Sequence, residues 1–142
     1  IKFIPRFADQ DDHIVLKASW TKGGKERVIP LLTTSQRDVL DRAHRLAGAG
    51  ALIPSDKQYI QQLRVYERHT TQAGLSRLHG LRHAYAQQRY LDLTGWLSPA
   101  AGGPTAAQLS FQQKQRDHVA RMTISQELGH VREQISAVYL GR

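Results

Sequence analysis

The sequence predicts a mainly α chain with one small antiparallel β-hairpin, an α+β fold, on three observations. Residues 13–31 hold an alternating stretch that doubles back about Gly23-Gly24. From Thr33 onward, cap-type Ser, Thr and Asp residues precede runs whose apolar positions fall three and four apart, the spacing of a helix face. No internal repeat and no linker divides the 142 residues, so a single domain spanning 1–142 is expected, large enough for a real core.

Taken in order, Ile1 to Phe7 is apolar and basic, and Pro5 is expected to break any helix there. Asp9-Gln10-Asp11-Asp12 reads as a turn. His13 to Trp20 reads as a strand with Ile14, Leu16 and Ala18 on one face. Thr21-Lys22-Gly23-Gly24-Lys25 is the hairpin loop, because paired glycines supply the positive φ angles of a tight turn. Glu26 to Leu31 returns as the second strand, ended by Pro30. Two strands alone are marginal in water, so this hairpin must lean on helices.

The remainder reads as helices. Thr33-Thr34-Ser35-Gln36 has capping-box character and opens a helix to about Ala47, stopped by Gly48 and Gly50. Ser55-Asp56-Lys57-Gln58 caps a second, with Ile60, Leu63 and Tyr66 on its buried face. A central helix runs from about Arg77 to Leu93. Thr94 to Gly103 is a Gly- and Pro-containing loop in which Trp96 is an anchor candidate. Ala106 to Met122 is polar, Gln-rich and helical. Thr123-Ile124-Ser125-Gln126 opens a short helix closed by Gly129. Val131 to Leu140 is the last helix, with Val131, Ile135 and Val138 facing inward.

Charge narrows the function. Twenty Lys and Arg against twelve Asp and Glu give a formal +8, and the sequence pI is ≈ 10.2. That balance points to a polyanionic partner, most economically nucleic acid, against the plainer alternative of a neutral basic surface. The absence of Cys excludes disulfides and thiolate metal sites and fits a cytoplasmic setting. No signal peptide and no membrane-length apolar run is present, so a soluble protein without a membrane partner is expected.

The chemistry concentrates in Arg77-Leu78-His79-Gly80-Leu81-Arg82-His83-Ala84-Tyr85-Ala86. On a helix, Leu78, Leu81 and Tyr85 fall on one side, and His79, Arg82, His83 and Arg89 on another. An imidazole that exchanges protons near neutral pH then stands one turn from a permanently charged guanidinium. Such a pair suits a phosphoryl group, since Arg grips two oxygens while His moves a proton. Alone, H-x-x-R is a weak signal and describes a solvated basic face better than a site. His79 and His83 are also spaced like zinc ligands, but the glutamate of H-E-x-x-H is missing and Arg82 would set a positive charge beside the metal.

Order adds specificity: T-K-G-G-K-E-R at the hairpin, then H-x-x-R-H, then Leu128-Gly129-His130, then Val138-Tyr139-Leu140. This series resembles the catalytic domain of the tyrosine recombinases, the phage integrase family, across essentially the whole chain. The resemblance implies that Tyr139 is the nucleophile that forms a 3′-phosphotyrosyl link to DNA. Lys22 would protonate the leaving 5′-oxygen, with Lys25 its close rival. Arg82 would bind the nonbridging oxygens, His79 would act as base or orienter, and His130 would hydrogen-bond the phosphate. Lys25, Arg77, His83 and Arg89 are candidates for DNA contact, as are Arg64 and Arg68. No cofactor, metal or small-molecule substrate is implied. The partner is double-stranded DNA with attachment-type sites, with self-association on that DNA, in a phage, prophage or integrative element. Type IB topoisomerase-like relaxation, or a DNA-binding remnant without catalysis, are the alternative functions. Tyr139 could otherwise be an ordinary half-buried phenol and His130 an ordinary helix-end residue.

Three departures accompany the resemblance. The family carries a further arginine on a helix before the hairpin, and no such segment precedes Ile1, so an N-terminally truncated domain of low activity is expected. Gly80 stands where the family has an acidic residue. The span between Arg82 and His130 is long, with Thr94 to Met122 behaving as an insertion.

Overall fold

The computed structural model describes residues 3–21, 23–76, 78–130 and 136–142. It is mainly helical with a two-stranded antiparallel sheet, and it divides into two compact units, Ile1–Ser76 and Arg77–Arg142.

The first unit begins with α1 (Pro5–Ala8), so Pro5 opens a helix instead of breaking one. At the first helical position its missing N–H costs nothing and its fixed φ is already helical. The hairpin pairs β1 (His13–Leu16) with β2 (Arg27–Pro30) in the register His13↔Pro30 to Leu16↔Arg27. β1 ends before the expected Trp20, because Ala18–Trp20 turns as a 3₁₀ helix and removes Ala18 from the strand face. Local contacts account for the turn. The Lys17 ammonium lies 5.0 Å from the Phe7 ring centroid and 5.6 Å from that of Trp20. The Thr21 hydroxyl donates to the Lys25 carbonyl at 2.6 Å and accepts from the Lys25 N–H at 3.0 Å, closing the loop. Gly23 and Gly24 have φ of 88° and 64°, as the tight connection requires. Lys22 lies outside the described residues.

The next helix, α2 (Thr34–Ala47), follows the sequence closely. Thr33 Oγ1 accepts from the Gln36 N–H at 3.2 Å, and Gln36 Oε1 accepts from the Thr33 N–H at 3.1 Å. Arg37 on this helix binds both carboxylate oxygens of Asp9, just past α1, and His44 Nε2 stands 2.8 Å from Asp9 Oδ2. The Arg37 guanidinium holds the Asp9 carboxyl well below the usual carboxylate range. The hairpin thus leans on α1, which packs on α2.

α3 (Tyr59–Gln72) opens after Gln58, whose N–H donates to Gln61 Oε1 at 2.7 Å, so Ser55 and Asp56 lie in the preceding turn and not at the cap. Its expected buried face is not buried within this unit: Ile60 is 48% and Tyr66 51% exposed. Tyr66, with Leu63, Leu46 and residues 50–56, borders an open cleft of about 1180 Å³.

The second unit is built on α4 (Gly80–Thr94) and α5 (Phe111–Glu127). Arg77 lies outside the described residues, and Leu78 and His79 form a turn whose carbonyls accept from the Leu81 and Arg82 N–H groups. α4 buries Ala86, Tyr90 and Thr94, whereas Leu81, expected on the apolar side, is 66% exposed. The buried row is spaced four apart, and it packs with Ala120, Ile124 and Leu128 of the α5 segment; small Ala86 and Ala120 leave room for the crossing. α5 runs unbroken where two helices are expected. Its cap is Ser110, with Gln113 completing the box, and Thr123 donates its hydroxyl back to the Val119 carbonyl instead of starting a new helix.

Gly129 does stop the helix. With φ of 82° it lets its own N–H reach the Gln126 carbonyl and the His130 N–H reach that of Ser125, a Schellman ending. Residues 131–135, including Val131 and Ile135, lie outside the described residues. α6 (Ala137–Leu140) closes the chain, with Tyr139 and Leu140 buried; Val138, expected to face inward, is 67% exposed.

Candidate active site

Three local features converge in the second unit. The first turn of α4 presents Arg82 and His83, the Schellman ending of α5 turns His130 back, and the single turn of α6 carries Tyr139. Arg82 Nη2 donates to the Leu128 carbonyl at 2.8 Å and lies 3.4 Å from His130 Nε2. Arg82 Nε donates to the Tyr139 hydroxyl at a long 3.4 Å. The carbonyl thus fixes the guanidinium, and the longer contacts orient its neighbours.

Tyr139 is only 5% exposed and belongs to the same buried cluster as Ala86, Tyr90, Ile124 and Leu128. Three imidazoles surround its ring. His83 meets it edge-on at 4.9 Å between centroids, His79 stands at 6.3 Å, and His130 lies nearly parallel at 6.3 Å. Of the three, His79 is exposed. Of the residues singled out in the sequence, His79, Arg82, His83, His130 and Tyr139 stand together. Lys25 is an exposed residue of the hairpin loop in the first unit.

Arg89 has a different setting. Its guanidinium grips Glu127 through Nη2 at 3.0 Å and Nε at 3.1 Å, and the Tyr85 hydroxyl donates to the same carboxylate at 2.7 Å. Burial, reinforced by Glu127, pushes the Tyr85 phenol upward in pKa, so it stays a neutral donor. This triad ties α4 to the end of α5, one residue before the carbonyl that holds Arg82. The sequence marked Leu128 only as part of the L-G-H motif, not for its carbonyl, and did not mark Glu127 or Gln87, whose Nε2 donates to the Tyr139 carbonyl at 3.3 Å. Gly129 carried the one available signal, since a Gly-terminated helix presents its last carbonyls in a defined direction.

A fixed cation, imidazoles able to exchange protons and a hydroxyl nucleophile are the groups that phosphoryl transfer uses. The chain belongs to the integrase family, whose model, described as Integrase, matches residues 7–88, more than half of its length. DNA binding and site-specific recombination attach to that family in general. No curated protein and no solved structure matches the chain. The family match ends inside α4, so it includes His79 and Arg82 but neither His130 nor Tyr139. Among the described residues, no helix is long and apolar enough to cross a membrane.

Proposed function

We propose that the chain carries a tyrosine-type DNA strand transferase site with Tyr139 as nucleophile. The observation behind this is the Arg82–Tyr139 contact, which joins a residue inside the family match to one 57 positions away and outside it. The Tyr139 oxygen attacks a scissile phosphate, forming a P–O bond to tyrosine and breaking the bond to the 5′-oxygen. The phenolic proton passes to an adjacent imidazole, assigned to His79. The leaving 5′-oxygen takes a proton from Lys22. Arg82 and His130 hold the nonbridging oxygens as negative charge grows on them. The link conserves the phosphodiester, so an incoming 5′-hydroxyl reverses the step without an external energy source. Attachment-type double-stranded sites and self-association on DNA belong to the same reading.

The test is a nicked duplex that loses its short 5′-hydroxyl strand on cleavage and so traps the covalent product. The unaltered chain should accumulate a protein–DNA adduct, and Tyr139→Phe should accumulate none. An adduct undiminished in Tyr139→Phe overturns the assignment. Exchange of strands between two duplexes, as against relaxation of a supercoiled circle alone, separates recombinase from topoisomerase.

A further inference from the structure

Tyr139 sits on a helix of four residues, too short to hold its own position, since one turn fixes many torsions for very few hydrogen bonds. Its placement therefore comes from what it docks on. Arg121, in the buried middle of α5, donates from Nη1 to the Gly141 carbonyl at 3.0 Å, two residues past Tyr139. Arg121 is itself held on both sides. Its Nε donates to Asp117 Oδ1 at 2.8 Å, and its guanidinium lies 5.7 Å from the Tyr90 ring centroid. The Tyr90 hydroxyl donates to the same Asp117 oxygen at 2.6 Å and accepts from Trp96 Nε1 at 3.2 Å. On the opposite side, Gly141 presses against the 3₁₀ turn Pro99–Ala101. A β-carbon there would meet the Ala100 nitrogen at 2.8 Å, and the φ of 76° is itself one that side-chain-bearing residues rarely adopt.

We propose that residues 96–121 form a bracket for the nucleophile, with Arg121 and Gly141 as positioning residues for Tyr139. The stretch that lengthens the span between Arg82 and His130 then has a role: it grips the backbone on the far side of Tyr139 while Arg82 meets the hydroxyl. This rests on the strand-transfer reading of the same site. Arg121 acts through the Gly141 carbonyl and Gly141 through its fit against Ala100. Their loss should leave DNA affinity intact and lower the rate of attack, because a displacement of about 1 Å at a reacting atom costs about a hundredfold.

Two variants of the whole chain test this. Gly141→Ala removes the fit next to the chain end and leaves every core side chain in place. Arg121→Lys keeps a cation beside Asp117 but gives up the forked donor that also reaches Gly141. Hydrogen–deuterium exchange of the peptide covering 136–142 reads the bracket directly, and adduct formation against DNA concentration reads its use. Faster exchange in both variants, with a fall of about ten- to a hundredfold in the saturating rate and an unchanged half-saturating DNA concentration, supports the proposal. Unchanged exchange in variants that retain the helical circular dichroism of the parent overturns the bracket. Faster exchange with an undiminished saturating rate overturns the positioning role. If the unaltered chain forms no adduct at all, the strand-transfer reading fails by itself, and exchange still decides the bracket.

Discussion

Arg82 makes three contacts at once, to the Leu128 carbonyl, to His130 and to the Tyr139 hydroxyl. A planar fork can do this and a point charge cannot, so Arg82→Lys should resemble Arg82→Ala. Either substitution should lower the saturating rate of adduct formation by about 10²–10³, the usual cost of one preorganised donor to a phosphoryl oxygen. Full activity in Arg82→Lys would show that charge alone suffices. Another prediction at this scale concerns Asp9, whose carboxyl Arg37 holds below its ordinary value of 3.8. A depressed folded value contributes stability above pH 3.8, and that contribution is lost as the pH falls from there through the folded value. Asp9→Asn should therefore destabilise the chain near neutral pH by about 1.5–3 kcal/mol, the range for hydrogen bonds to charged groups. The gap from the parent should shrink in denaturant titrations below pH 3.8. A gap independent of pH would contradict the sign. His79 and Arg82 were legible as candidates from their side-chain chemistry and helical spacing, and His130 and Tyr139 only through the order of the motifs and the family they resemble. The Leu128 carbonyl was not, since every residue carries one and only the Gly129 turn decides where it points.

At the scale of elements, capping and glycine chemistry carried the boundaries of α2 and the end of α5. Several inferences about helix faces and breaks did not hold, those for Pro5 and Val138 among them. Thr123-Ile124-Ser125-Gln126 has the composition of a cap, yet Ile124 and Ser125 are buried in the middle of α5, where packing on α4 outweighs a local capping preference. Of the apolar side expected for the segment 78–85, Tyr85 packs against the core but Leu81 is exposed, because Ala86 and Tyr90 supply the buried row of α4. Of the α3 face expected to be buried, Ile60 is exposed while Leu63 and Tyr66 border the open cleft of the first unit. The corrected core gives a measurable consequence. Ile124 is fully buried between α4 and the site, so Ile124→Ala should cost about 2–5 kcal/mol of stability by chemical denaturation. Ser110→Ala, which removes only the cap of α5, should cost about 1 kcal/mol. The reverse ranking would contradict one continuous, core-packed α5.

Over the whole molecule, the mainly helical composition with one hairpin was legible from periodicity and from Gly23-Gly24. The division into units at Ser76 was not, because Gly74-Leu75-Ser76 has the composition of any short connection between helices. With a formal +8, phosphate contact is expected to be the main source of DNA affinity. Neutralising about six phosphates predicts a slope of log affinity on log salt of roughly −5, with little dependence on duplex sequence. Binding insensitive to salt would argue against a DNA-handling surface.

The central claim is that Tyr139 becomes covalently joined to DNA, and mapping that bond is its most direct test. After incubation with the trapping duplex, the adduct is digested with nuclease and protease and its peptides are identified by mass. The predicted result is a single modified peptide carrying a 3′-phosphonucleotide on Tyr139, with the released strand ending in a free 5′-hydroxyl. Linkage through another residue, or attachment to a 5′-phosphate, would contradict it.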